Sequence, residues 1–135
     1  MDIMLVTFDF DQTLTVSRWD EENEDFVHMG PNLVMVQCLK AHLDMGNEVH
    51  IVTSRHEKFE KVGHHDAPRV SDFLRSEGIF GQISGIHFTN GEWKADTIKR
   101  LGSLRHHDDD EEELIRLHED CECIHVPTGW LGISD

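Results

Sequence analysis

The sequence predicts an α/β fold, a parallel five-stranded sheet with helices on both faces, as a single domain over residues 1–135. Three observations predict it. Strand-like and helix-like segments alternate five times along the chain, the order that builds a parallel sheet. The first strand-like run, Ile3–Phe8 (IMLVTF), is almost wholly apolar, as a strand covered on both faces must be. At 135 residues the chain is long enough to bury a core and too short for two.

Each element has its own local signature. After an acidic loop, Gly30-Pro31-Asn32 opens a helix, with Pro31 suited to the first turn because no N–H is needed there. Leu33, Val34, Val36, Leu39 and Leu43 recur at helical spacing, and Gly46-Asn47 ends the pattern. Glu48–Thr53 (EVHIVT) is the second strand. A polar loop leads to a helix with Asp66 as its N-cap, Pro68 just inside, an apolar stripe of Val70, Phe73 and Leu74, and Gly78 at its close. Ile83–Phe88 (ISGIHF) is the third strand, weakened by Gly85. Glu92–Leu101 is a helix that turns Trp93, Ile98 and Leu101 to the core. Ser103–His107 is a strand by its place between two helices more than by composition. Asp109–His118 is a helix whose opening acids suit the positive end of its dipole, and Glu122–Val126 (ECIHV) is the last strand. Right-handed crossovers bring the C-terminal ends of all strands to one edge, where open α/β sheets bind ligands.

The net charge of −15 restricts the partners. Two acidic blocks, Asp20–Asp25 (DEENED) and Asp108–Glu113 (DDDEEE), carry much of it, and the first reads as solvated surface. Such a chain has no extended nucleic-acid-binding surface, because phosphates are repelled over most of it. An anionic ligand needs a local cation, and a divalent metal would supply one. The N-terminus has no basic region of a signal peptide, and no apolar run reaches the length of a membrane span. Cys38, Cys121 and Cys123 make an odd count without paired zinc spacing, and Cys121 and Cys123 share a strand face where they read as small buried hydrophobes. These features predict a reducing, cytoplasmic setting and no membrane partner.

The residues with chemistry collect at the strand ends. Strand one runs into Asp9-Phe10-Asp11-Gln12-Thr13, and two carboxylates leaving an apolar strand together are costly unless a metal or hydrogen bonds compensate them. Strand two ends in Thr53-Ser54-Arg55, which sets a hydroxyl and a guanidinium where a phosphate can be held. Lys94 opens a helix, at the dipole end where a lysine is disfavoured unless something anionic lies nearby. Asp108, Asp109 and Asp110 follow strand four; opposite Asp9 and Asp11 they become metal ligands.

Taken in order, these residues resemble the four motifs of the haloacid dehalogenase-like phosphatase superfamily. Asp9-Phe10-Asp11-Gln12-Thr13 is similar to its Asp-x-Asp-x-Thr signature, with Gln12 where a small residue is common. Thr53 or Ser54 stands at the hydroxyl position, Lys94 at the lysine, and Asp108-Asp109 at the paired acids. The resemblance spans almost the whole chain and implies a Rossmann-like three-layer fold. It implies further that Asp9 is a nucleophile forming an aspartyl-phosphate and that Asp11 is the general acid and base. Mg2+ would be held by the Asp9 carboxylate, the Asp11 carbonyl and Asp108 or Asp109. Lys94 and Thr53 would offset charge on the phosphoryl group. A narrower resemblance is to the 3′-phosphatase domain of phage polynucleotide kinase-phosphatases, on Thr53-Ser54-Arg55, Lys94-Ala95-Asp96 and Arg18 as a second substrate arginine.

Members of the superfamily gain selectivity from cap domains. Here the first insertion, roughly Thr15 to Met29, is long enough only for a flap, and the second holds just the sheet's own helix and strand. An open site suits a phosphorylated macromolecular end, such as a nucleic-acid 3′ end, or needs a homo-oligomer to close it. Sugar phosphates and nucleotides are the small-molecule alternative, a phosphotransferase the second enzyme reading, and a receiver-like or scaffold module that only binds Mg2+ the non-enzyme one. Eleven histidines include His64-His65 and His106-His107, but adjacent histidines on a strand point to opposite faces, so neither pair alone makes a zinc site. Trp130 reads as core or interface.

Overall fold

β1 (Leu5–Phe8) is the middle strand of a five-stranded parallel sheet in a computed structural model that describes residues 3–62 and 67–127. Its neighbours are β4 (Glu48–Thr53) and β6 (Arg105–Asp108), with β5 (Gly85–Phe88) and β7 (Glu122–His125) outside them, so the order is β5-β4-β1-β6-β7. All four pairings are parallel, with Phe8 opposite Ile51 and His107. The sheet with its flanking helices is the α/β, Rossmann-like fold that the strand–helix alternation predicts. Asp66, His64, His65 and Trp130 lie outside the described residues.

The two faces of the sheet are unequal. Val6, Phe8, Val49 and Ile51 pack with Val36 and Leu39 of α1 (Leu33–Asp44) and with Val70, Phe73 and Leu74 of α3 (Val70–Ser76) in one large cluster. On the other face Val52 meets Ile98 of α4 (Ala95–Leu101) and Cys121 in a smaller one. Each fully buried aliphatic or phenyl side chain contributes about 1.5–3 kcal/mol, so the α1–α3 layer carries most of the hydrophobic stabilisation.

Between β1 and α1 the chain forms an antiparallel ribbon, β2 (Thr15–Asp20) and β3 (Asp25–Pro31), with the first acidic block as its exposed turn. This is the flap expected over Thr15 to Met29. Among the described residues, the stretch from β4 to β5 adds only α2 (Lys58–Val62), α3 and a short 3-10 turn, Phe80–Gln82.

Several local expectations are corrected. Pro31 ends β3 rather than entering α1, whose N-cap is Asn32, accepting from the Met35 N–H at 3.3 Å. Leu33 and Val34 are exposed because the first turn of α1 begins beyond the edge of the core. Pro68 stays outside α3, with its carbonyl held by Arg55, and the start of α3 is capped from another element. The Glu60 carboxylate of α2 accepts from the Val70 N–H and from the N–H and hydroxyl of Ser71. Trp93 is half exposed, its ring covered by the Arg116 guanidinium at 3.7 Å, so it does not face the core. α5 is only Glu111–Leu114, since the following residues turn to bring Cys121 into the core, fastened by His118 to the Ser103 carbonyl. Cys121 is buried as expected, but Cys123 is exposed on the edge strand. Gly85, which weakens its strand on paper, is required: a Cβ there would meet His50 Nδ1 at 2.8 Å.

Candidate functional site

Asp9 continues β1 by one residue, its N–H donating to the His107 carbonyl, and its side chain is buried. The chain then turns sharply. The Phe10 carbonyl accepts from the N–H groups of Thr13, Leu14 and Thr15, and Gln12 adopts φ +65°. That left-handed conformation is where a small residue is easiest to place, and here the Gln12 side chain helps by accepting from the Ser17 N–H at 3.2 Å. Phe10 anchors the turn in the core, edge-on to Phe73. The turn aims the Thr13 hydroxyl back at Asp9 Oδ2, 3.0 Å away.

Lys94 joins the acids of separate strands. Its Nζ is 2.9 Å from Asp9 Oδ1, 2.9 Å from Asp108 Oδ2 and 3.7 Å from Glu113 Oε2. Its N–H, free at the start of α4, donates to Glu113 Oε1 at 3.0 Å. Asp108 is fully buried at the end of β6 and also accepts from His106 Nε2 at 2.8 Å and from the Asp110 N–H at 3.0 Å. Since ionised Asp108 only accepts, His106 carries its proton on Nε2, and its Nδ1 accepts from the Thr7 hydroxyl.

The carboxylates of Asp9, Asp108 and Asp109 offer oxygens that all lie within 4.8 Å of one another. Asp9, Asp108 and Glu113 surround one ammonium, and Asp109 adds a fourth acid beside Asp9 and Asp108. Burial pushes the Asp9 carboxyl well above its usual range; Lys94 opposes this, while Asp108 and a hydrogen bond shared with Asp109 push it further up. Burial raises Asp109 too, against its bond with Asp9 and aided by the charge of Asp108. In Asp108 burial is outweighed by the His106 hydrogen bond and by Lys94, which hold it below the usual carboxylate range. Burial disfavours the Lys94 charge, yet Asp9 and Asp108 outweigh burial and hold the ammonium protonated. Surplus negative charge on an all-oxygen donor set is the condition that a hard divalent cation relieves, so these residues fit Mg2+.

Asp11 is placed apart from that cluster. Its carboxylate takes a two-pronged pair from Arg55, Nε to Oδ2 at 2.8 Å and Nη2 to Oδ1 at 2.7 Å. The guanidinium also donates to the Pro68 carbonyl and lies 4.8 Å from the Phe10 ring centroid. A cavity of about 260 Å3 opens beside this pair, lined by Asp11, Arg55, His56, Phe59 and Ala67. Thr53 is buried, its hydroxyl accepting from the Arg55 N–H at 3.2 Å. Ser54 is exposed, with its carbonyl accepting from Gly91. Arg18 is exposed on β2 opposite Val27. The structure therefore brings together Asp9, Thr13, Lys94, Asp108 and Asp109, sets Asp11 with Arg55 and Thr53 beside them, and leaves Arg18 on the flap.

Sequence reasoning missed Glu113 and His106. Asp110 and Glu113 have the spacing of a capping box, which disguises Glu113 as a helix-start residue; it reaches to Lys94 instead. His106 and His107 do point to opposite faces. His107 stacks on Phe8 at 3.9 Å, near Cys38 and His42, while the Asn47 amide donates to His42 Nδ1 and leaves the proton on Nε2. With that nitrogen protonated the Cys38–His42–His107 group reads as packing.

No family model and no curated protein matches the chain. Among solved structures it is similar to a candidate 3-deoxy-D-manno-octulosonate 8-phosphate phosphatase from Vibrio cholerae, at 16% identity and a TM-score of 0.48 over 86% of this chain. The chain spans 63% of the length of that protein. No helix among the described residues is long and apolar enough to cross a membrane.

Proposed function

We propose that this protein hydrolyses phosphate monoesters, with Asp9 as the nucleophile and Mg2+ as its cofactor. The observation that carries the reading is the convergence of Lys94 and three carboxylates on the end of the central strand. Asp9, Asp108 and Asp109 would hold the cation, which supplies positive charge against the phosphoryl oxygens.

In the first step a carboxylate oxygen of Asp9 bonds to phosphorus as the bond to the leaving oxygen breaks, and Asp11 gives that oxygen its proton. In the second, water attacks the aspartyl-phosphate and returns a proton to Asp11, releasing inorganic phosphate and free Asp9. Lys94 and the Thr13 hydroxyl fix the Asp9 carboxylate, and the ammonium offsets charge on the transferring group. Arg55 has two employments. Without substrate it pairs with Asp11; a dianionic phosphoryl group competes for the same fork, and its arrival frees Asp11 for proton transfer.

The pairing of Asp11 is also the feature that favours a receiver-like module, because an acid clasped on both oxygens by a guanidinium is not free to reach a leaving group. Release of inorganic phosphate from a panel of monoesters, with Mg2+ and with chelator, separates the readings. Hydrolysis that needs Mg2+ and falls about 10²–10⁴-fold in Asp11→Asn supports the enzyme. Hydrolysis indifferent to both changes, or none from any ester, removes it.

A further inference from the structure

We propose that the flap presents a stacking platform, Trp19 with Phe26, for the base of a phosphorylated nucleoside whose phosphoryl group sits at Asp9. The inference rests on the phosphatase reading and adds the chemical class of the leaving group.

Ser17 pairs with His28 and Trp19 with Phe26, while Arg18 pairs with Val27 between them. Side chains alternate across a strand, so Ser17, His28, Trp19 and Phe26 share one face of the flap. The base of this face adjoins the site. The Ser17 N–H is tied to Gln12 in the turn that carries Asp11, and His28 lies close enough to Asp11 and Arg55 to feel both charges.

The Trp19 and Phe26 rings are edge-on, 5.2 Å apart at 71°, and each is half exposed, at 50% and 51%. Two large rings held together in water on the ribbon beside a polar site favour an apolar, flat partner over a polyhydroxylated one. They stand two residues further along the ribbon than the Ser17–His28 pair, about 7 Å outward from it. Base–aromatic stacking tolerates any base, so the platform selects nucleosides as a class and does not read sequence. The acidic turn Asp20–Asp25 beyond it repels further phosphates, which limits the ligand to a free nucleotide or the last nucleotide of a strand.

The test compares kcat/KM for nucleoside monophosphates, ribose 5-phosphate and glycerol phosphate in the wild type, Trp19→Ala, Trp19→Phe and Phe26→Ala. The expected result is a preference for nucleotides that Trp19→Ala lowers about ten- to a hundredfold, with ribose 5-phosphate unchanged and Trp19→Phe largely restored. Equal loss on all three esters in Trp19→Ala, or equal wild-type turnover of ribose 5-phosphate and nucleotides, overturns the platform. Oligonucleotides with 5′ or 3′ phosphates form a further arm: preference for them assigns the strand end, preference for mononucleotides the free nucleotide. A binding readout separates the two failures. If no ester is hydrolysed, the phosphatase reading falls, and saturable quenching of fluorescence by nucleotides that is lost in Trp19→Phe still supports the platform. No such quenching sinks it.

Discussion

Replacing Lys94 by methionine tests the electrostatic construction of the site. The side chain is 4% exposed, and its ammonium lies 2.9 Å from both Asp9 and Asp108, with Glu113 at 3.7 Å. Methionine keeps the bulk of the stem and removes the charge, leaving buried carboxylates without a cation. Breaking a buried ion pair from one side costs about 3–5 kcal/mol, a large part of the about 5–15 kcal/mol that holds a domain folded. On the proposed reading the cation binds the folded site and not the unfolded chain, so Mg2+ at 100 times its dissociation constant should return about 2.7 kcal/mol. With one more negative charge to relieve, the variant should gain more from Mg2+ than the wild type. Urea unfolding with and without Mg2+ measures both quantities. A variant within about 0.5 kcal/mol of the wild type, the size of an ordinary surface substitution, would refute the reasoning. So would one that Mg2+ does not stabilise at all.

Other predictions follow from the packing around the site. Gly85→Ala sets a Cβ 2.8 Å from His50 Nδ1 and should cost about 1–3 kcal/mol in urea unfolding; adding His50→Ala should recover part of that loss, because the two positions share the clash. His107 and His42 are buried neutral, and burial brings His107 down from 6.5 to about 4 and lowers His42 as well. The folded state thus binds these protons less well than the unfolded chain. Their contribution is complete above about pH 6.5 and is lost as pH falls toward 4, by about 3 kcal/mol for His107 alone. Stability measured at stepped pH should fall across that window, and His107→Phe, which can still stack on Phe8, should flatten the slope.

The parts legible in the sequence are those fixed by local pattern and by the handedness of the fold. Ile3–Phe8 is apolar enough to be the central strand, and the parallel-sheet rule then carries Asp9, Thr53, Lys94 and Asp108 to one edge, although Asp9 and Lys94 are 85 residues apart. The rule places residues at an edge but does not choose their partners. It therefore could not show that Arg55 grips Asp11 across 44 residues, or that Glu113 supports Lys94. The cap on α3 was hidden for the same reason: Glu60 belongs to a helix too short and polar to leave a periodic signature. Leu33, Val34 and Trp93 show the opposite failure, since apolar spacing marks a face and not whether anything covers it.

The account stands or falls on a covalent bond between Asp9 and phosphorus. The most direct measurement is acid quenching of the protein during turnover of a phosphate monoester with Mg2+, followed by mass spectrometry of its peptides. The account predicts a phosphoryl adduct on the peptide that contains Asp9, absent in Asp9→Asn together with phosphate release. Full turnover in Asp9→Asn, or an adduct on another residue, would contradict it.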